Sequence, residues 1–238
     1  MREKIIIALD VDSEKQALNL VDRLNGQVGA FKVGLQLFSY TGPSIVRKIS
    51  ASGSKVFLDL KFFDIPNTTA RAAEAAVSLG AFMFNVHASG GKKMLTEAAM
   101  AVTQKAAALG VPKPLLIGVT VLTSMSGAEL CDESGVSRPL AQHVASLALL
   151  CRESGLDGVV ASAREIPWIR KACGSDFLVV TPGVRPKWSA GNDQTRIVTP
   201  AEALQLGSDY LVIGRPVTAA PNPREAVQCI LAEISERG

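Results

Sequence analysis

Eight short apolar runs recur along the chain, at residues 5–9, 30–35, 55–60, 82–86, 115–122, 158–161, 177–180 and 210–213. Most are apolar at successive positions rather than at alternate ones. Runs of that length and kind read as strands buried on both faces, the pattern of a parallel sheet. Amphipathic stretches lie between them and carry helix punctuation. Ser13 stands before Glu14 as an N-cap, and Asn25-Gly26 closes the same stretch. Gly80, Gly110, Gly155, Gly174 and Gly207 each fall where a helix would hand over to the next strand, the place of a C′ glycine. Pro200 after Thr199 suits the first turn of another helix. About eight strand-then-helix units in 238 residues predict an α/β chain closed into a (β/α)₈ TIM barrel. An open doubly wound sheet is the alternative that periodicity does not separate. With no linker, low-complexity tract or internal repeat, one domain over residues 1–238 is expected.

Composition changes this picture little. Hydrophobic residues are 47% and charged residues 20%, ordinary values for a globular protein, and the net charge is +3. The basic residues are scattered, with no Lys/Arg run interleaved with aromatics, so no nucleic-acid partner is expected. Cys131, Cys151, Cys173 and Cys229 share no C-x-x-C spacing and have no nearby histidine. No metal site is expected, and the four read as small buried hydrophobes in a reducing compartment. The run at 5–9 is too short for a signal segment and ends at Asp10, and nothing approaches a membrane span. A cytoplasmic protein with no membrane partner is expected.

The barrel places the chemistry. Active sites of such barrels lie at the C-terminal ends of the strands. The polar residues there are Asp10, Lys32, Asp59, Lys61, His87, Thr123, Ser162, Arg185 and Arg215. Most informative is Asp59-Leu60-Lys61-Phe62-Phe63-Asp64, which follows Val56-Phe57-Leu58. Charges at the end of a buried strand need partners or a function. A structural salt bridge would explain one Asp and the Lys. It explains less well the second Asp, set where the chain turns away before Ile65-Pro66-Asn67-Thr68.

A second cluster reads as a phosphate site. Thr181-Pro182-Gly183-Val184-Arg185-Pro186 follows the seventh run, and Ile213-Gly214-Arg215-Pro216 follows the eighth. Barrel phosphate sites are frequently built from these two loops. The glycines admit close backbone approach, and the arginines offer planar forks suited to phosphate oxygens. One Gly-x-Arg-Pro could be a turn with a solvated arginine; two on adjacent loops favour phosphate. The polar loop at 184–197, with Gln194 and Arg196, reads as a lid. His87 reads as a hydrogen-bonded structural histidine, His143 as surface or packing, Trp188 as packing for the lid and Trp168 as core.

In order and together, these segments resemble the orotidine 5′-phosphate decarboxylase family over essentially the whole chain. The resemblance is carried by the 59–68 segment, with Ile7-Ala8-Leu9-Asp10, Phe31-Lys32-Val33-Gly34, Asn85-Val86-His87-Ala88, Val121-Leu122-Thr123-Ser124-Met125 and the two arginine loops. Phe63 departs from the pattern, because many bacterial relatives have His there. The resemblance implies a TIM barrel that converts orotidine 5′-phosphate to UMP and CO₂ without cofactor or metal. It implies a homodimer in which Asp64, Ile65 and Thr68 complete the neighbouring subunit's site. It further implies catalysis by Lys61 within an array of Lys32, Asp59, Lys61 and Asp64. Asp10 and Lys32 would contact the ribose, Thr123 and Ser124 the pyrimidine, and Arg185, Gln194, Gly214 and Arg215 the phosphate.

Simple chemistry agrees. Losing CO₂ from C6 of a pyrimidine leaves a carbanion with no ordinary electron sink. A lysine flanked by carboxylates is held as an ammonium, which stabilises that charge and then supplies a proton. Two other readings stand beside this one. A related Mg²⁺-dependent 3-keto-L-gulonate 6-phosphate decarboxylase shares the D-x-K-x-x-D element but needs a carboxylate ligand where this chain has Lys32. A catalytically silent UMP-binding barrel would keep Arg185, Arg215 and Ser124 but would not need Asp59, Lys61 and Asp64.

Overall fold

A computed structural model describes residues 1–189 and 198–236. The strands are β1 (Ile5–Ala8), β2 (Ala30–Gly34), β3 (Val56–Phe62), β4 (Met83–His87), β5 (Leu115–Val119), β6 (Gly158–Val160), β7 (Leu178–Pro182) and β8 (Tyr210–Ile213). Each matches one apolar run. All pair in parallel with their neighbours, and β1 pairs with β8 through Ile5↔Leu211, Ile6↔Val212 and Ile7↔Ile213. That last ladder closes the barrel and excludes the open sheet. Between and after the strands run α1 (Glu14–Leu24), α2 (Leu35–Thr41), α3 (Ser44–Ala51), α4 (Pro66–Ser78), α5 (Gly91–Leu109), α6 (Gly127–Asp132), α7 (Leu140–Glu153), α8 (Ile166–Cys173), α9 (Pro200–Gln205), α10 (Arg215–Thr218) and α11 (Pro223–Ser235).

The local signals act as their chemistry requires. Ser13 accepts a hydrogen bond from the N–H of Gln16 at 3.3 Å and caps α1. Thr199 and Glu202 form a reciprocal capping box around Pro200. The five expected C′ glycines all have positive φ.

The apolar residues divide into two cores, which explains why the strands are apolar throughout. Ile6, Ala8, Ala30, Phe57, Met83, Ile117, Val180 and Val212 pack inside the barrel. Their sequence neighbours Ile5, Ile7, Phe31, Leu58, Phe84, Val179 and Leu211 pack outward, under the helices. Strand side chains alternate between faces, so the next inward position after each interior residue lies one layer higher. On β2, β3 and β4 those positions are Lys32, Asp59 and Asn85. The filled interior below supports a polar layer above it.

Three expectations are corrected. Cys151 and Cys173 are buried, but Cys131 and Cys229 are exposed. Trp168 is 49% exposed rather than core, because the buried stripe of α8 is Ile166, Ile169 and Cys173 and position 168 falls off it. Strand β3 runs two residues past the apolar run at 55–60, to Phe62, so the strand ends later than that run and includes Lys61. Among the described residues no helix is long and apolar enough to cross a membrane.

Candidate active site

Four charges meet at the C-terminal mouth of the barrel. Lys32 projects from β2 and is 8% exposed. Its ammonium donates to Asp10 Oδ1 at 3.0 Å and lies 3.3 Å from Asp59 Oδ2. Asp59, on β3, accepts from Lys61 Nζ at 2.7 Å on its other oxygen. The order Asp10–Lys32–Asp59–Lys61 alternates in sign. Buried charges persist only when compensated in this way. Gly34 makes room for the group, since a Cβ there would come within 2.8 Å of Lys32 Nζ.

Lys61 has φ 51°, the only non-glycine residue with positive φ among those described. The left-handed region costs a side-chain-bearing residue about 1–3 kcal/mol, and such residues cluster at functional sites. The register between β3 and β4 shifts here, from Leu58↔Phe84 to Phe62↔Val86. The shift is a bulge that lifts Lys61 out of the regular ladder and aims its side chain back along the strand toward Asp59. Its backbone N–H donates instead to Asn85 Oδ1 at 2.8 Å. Asn85 Nδ2 donates to Asp59 Oδ1 at 2.7 Å. Asn85 is fully buried. It is absent from the expected site residues, yet its signal was present: one amide inside the otherwise apolar run Phe82-Met83-Phe84-Asn85-Val86.

A cavity of about 160 Å³ opens above these charges, lined by Lys32, Phe57, Asp59, Lys61, Thr123 and Pro182 among others. Thr123 and Ser124 lie in an exposed turn after β5. Ser124 is not among the residues lining this cavity. Asp64 and Ile65 are exposed too, on the turn that leaves β3, and Thr68 is exposed in the first turn of α4. Asp64 accepts a hydrogen bond from the N–H of Ile65 at 2.6 Å and forms no ion pair with the charges at the mouth. Within one chain the carboxylate paired with the far side of Lys32 is thus Asp10, and Asp64 stands apart from the array.

The arginine loops meet beside the mouth. Arg185 and Arg215 line one cavity of about 390 Å³ with Trp188, Ser189 and Pro216. Gly183 has φ 77°, so the turn after β7 needs a residue without a Cβ penalty. The N–H of Arg185 donates to the carbonyl of Val198 at 3.2 Å, which joins the two roots of the 184–197 loop. Gly214 sits against Ala8 and Asp10, so the phosphate-type loop abuts the charged array. Trp188 is 51% exposed and lines this cavity. Gln194 and Arg196 lie outside the described residues, as does most of the expected lid.

His87 ends β4, its ring 5.3 Å from that of Phe63, and its Nδ1 accepts from the N–H of Ser89 at 3.4 Å. Burial, with the nearby Lys61 charge, holds its pKa below the ordinary histidine value. A neutral structural role fits. His143 lines a separate cavity of about 520 Å³ with His87, Met125 and Leu147. Among the described residues no group of three His, Cys, Asp or Glu side chains is placed to hold a metal.

The comparisons agree with this geometry. Residues 3–230 match the model of the family described as orotidine 5′-phosphate decarboxylase / HUMPS. The chain is 57% identical to the orotidine 5′-phosphate decarboxylase of Moorella thermoacetica, over 98% of this chain and 92% of that one. It is 53% identical to the enzyme of the same name from Syntrophomonas wolfei, over 99% of both. Its fold is similar to the crystal structure of orotidine 5′-phosphate decarboxylase from Lactobacillus acidophilus, with TM-score 0.85 and 38% identity over 97% of this chain and 98% of that one. A closed barrel with paired lysines and aspartates at its mouth, matched from end to end, leaves one conclusion: the chain belongs to the orotidine 5′-phosphate decarboxylase / HUMPS family.

Proposed function

We propose that this protein converts orotidine 5′-phosphate to UMP and CO₂, and that it does so in the cytoplasm as a single-domain homodimer without cofactor. The observation that carries the reading is the Lys61 ammonium, held 2.7 Å from Asp59 at the floor of the mouth cavity. The substrate phosphate lies against Arg185 and Arg215, beside Gly214 and with Gln194. The ribose hydroxyls meet Asp10 and Lys32. The pyrimidine lies under Thr123 and Ser124, with C6 over Lys61. The bond from C6 to the carboxylate breaks, CO₂ leaves, and the electron pair stays on C6. The ammonium stabilises that pair at short range and then donates its proton to C6; solvent returns a proton to the lysine. Asp59 keeps Lys61 in place and lies near the departing carboxylate. Phosphate binding, remote from the bond that breaks, lowers the barrel's chemical barrier by holding the ring over Lys61.

Lys32 argues against a Mg²⁺-dependent sugar-phosphate reaction. An ammonium bracketed by Asp10 and Asp59 offers a metal no lone pair and repels it. The full charged array likewise has no purpose in a silent UMP-binding barrel. Purified, EDTA-treated protein given orotidine 5′-phosphate should release UMP and CO₂. Silence after chelation with recovery on Mg²⁺ would transfer the chain to the sugar-phosphate reading, and UMP binding without turnover would leave the silent barrel.

The exposed Phe63, Asp64, Ile65 and Thr68 support a site completed across a two-fold interface. Lys61→Ala and Asp64→Ala homodimers should each be nearly inactive and should recover activity when they exchange subunits. Half of the hybrid's sites, at most, would then carry both native residues. No recovery, with exchange confirmed by mass spectrometry, would reject the composite site.

A further inference from the structure

Asn85 has none of the roles described so far, and its surroundings are unusual. It is an amide with no exposed surface, in the strand next to the one that carries the reactive lysine. Both ends of that amide are committed. Its oxygen accepts the N–H of Lys61 at 2.8 Å, and its nitrogen donates to Asp59 Oδ1 at 2.7 Å. The orientation is dictated by chemistry, because a carboxylate only accepts and an N–H only donates.

The two bonds fix different things. The bulge between Leu58 and Phe62 removes the N–H of Lys61 from the β3–β4 ladder. A buried N–H left in that way must find another acceptor, and the amide oxygen is that acceptor. Lys61 therefore keeps its left-handed backbone, φ 51°, on a side chain that comes from β4. The second bond anchors Asp59. Its Oδ1 receives both the amide and Lys61 Nζ, while its Oδ2 faces Lys32. Asp10 faces Lys32 from the segment after β1, and His87 follows on β4. Of the groups around Asp59, Asn85 is the neutral one with a fixed direction. Without it the carboxylate could turn toward either ammonium.

We infer that Asn85 is a positioning residue for the decarboxylation proposed above: one amide locks the strained backbone of Lys61 and the carboxylate of Asp59 in mutual register. It touches neither the reacting atoms nor the phosphate cavity. Its loss should therefore act on kcat and leave ligand affinity almost unchanged.

Two substitutions separate the two bonds. Asn85→Ala removes both. Asn85→Asp keeps the shape and the acceptor for Lys61 but replaces the donor with a second carboxylate against Asp59. Turnover of orotidine 5′-phosphate, calorimetric binding of UMP and thermal unfolding would be measured on each. With Asn85→Ala, kcat should fall about 100-fold, the cost typical of a small misplacement of reacting groups. KM and UMP affinity should stay within about threefold of wild type. Asn85→Asp should lose at least as much kcat, because like charges face each other. A residue that only stabilised the barrel would lower the melting temperature and spare kcat per folded molecule. A folded Asn85→Asp protein with kcat within about threefold of wild type would overturn the inference. Should one variant fail to fold, the other decides; failure of both would assign Asn85 to core stability alone and overturn the positioning role. An inactive wild type would instead sink the proposed reaction, and this inference with it, so the two failures are distinct.

Discussion

The barrel has aspartates with cationic partners at both of its ends, and they are built differently. At the N-terminal end Asp209 precedes β8. It accepts from Arg170 at 2.7 Å and, on the same oxygen, from the N–H of Val179 at 2.8 Å. Arg170 also donates to the carbonyls of Ser175, Phe177 and Gly207. Asp157 precedes β6 and does the same for β5, taking Lys113 and the N–H of Leu116. At the mouth, Asp59 accepts from Lys61 and Asn85 and forms an ion pair with Lys32, all through side chains. In the lower pairs each aspartate also accepts a main-chain N–H, and Arg170 adds bonds to main-chain carbonyls, so the pairs tie neighbouring strands together. The upper array ties side chains to one another around a cavity and leaves the Lys61 ammonium with donors to spare. A charged pair at a strand end is thus structural when its remaining capacity goes to main chain, and is available for chemistry when that capacity faces space.

Substitutions at the two ends should therefore damage different properties. The largest effect belongs to Lys61→Ala. In the proposed reaction, loss of the proton donor alone removes about 10²–10⁴ of rate, and loss of carbanion stabilisation adds to it. A fall in kcat of about 10⁴-fold or more is expected, with the melting temperature within a few degrees of wild type. A folded variant keeping a tenth of kcat would remove Lys61 from the mechanism. Lys61→Arg should rescue little, because guanidinium gives up its proton poorly.

Next comes Asp209→Ala, the counterpart at the other end. It strips Arg170 and the N–H of Val179 of an acceptor in a partly buried setting, at a cost of about 2–4 kcal/mol of stability. Denaturant titration should show that loss, and kcat per folded molecule should be unchanged. A stable variant with reduced kcat would erase the distinction between the two ends.

A similar magnitude is expected from Arg215→Ala, but read as binding. UMP should bind about 2–3 kcal/mol more weakly, because a charge-assisted contact to phosphate is lost. Uridine, lacking the phosphate, should lose far less in the same calorimeter. Equal losses would place Arg215 away from the phosphate.

The smallest effect concerns His87, which links the array to the exposed turn. Its pKa is depressed in the folded state by burial first and by Lys61 second. The unfolded chain therefore binds the proton more readily. Stability from this group is full above the ordinary histidine value of about 6.5 and is lost as pH falls from there toward the depressed folded value. His87→Asn should flatten that acid slope in unfolding measurements and leave stability at pH 8 nearly unchanged. An unaltered slope would show that the histidine titrates alike in both states.

Much of the chain was legible because its signals are local. Runs apolar on both faces became strands, and C′ glycines and caps became helix ends, since each depends on a few adjacent residues. The charged positions were legible as well, because an ion at the end of a buried strand is conspicuous. Trp168 shows the limit: a large apolar ring reads as core until the helix phase assigns it to the outer face. Asn85 shows another: one amide in an apolar run announces a need for partners and does not say which.

Sequence alone thus determined the α/β alternation, the identity of the ionisable groups and the strands on which they stand, because covalent order and short-range sterics set those. Tertiary structure alone decided the rest. Closure needed β1 to meet β8, about two hundred residues away, and no local signal encodes that ladder. The choice of Asp10 rather than Asp64 as the outer partner of Lys32, the left-handed turn at Lys61 and the clasp of Asn85 on both its neighbours are all distances between strands. Electrostatic pairing and hydrogen bonding act over a few ångströms of space, and only the folded barrel sets which side chains share those few ångströms.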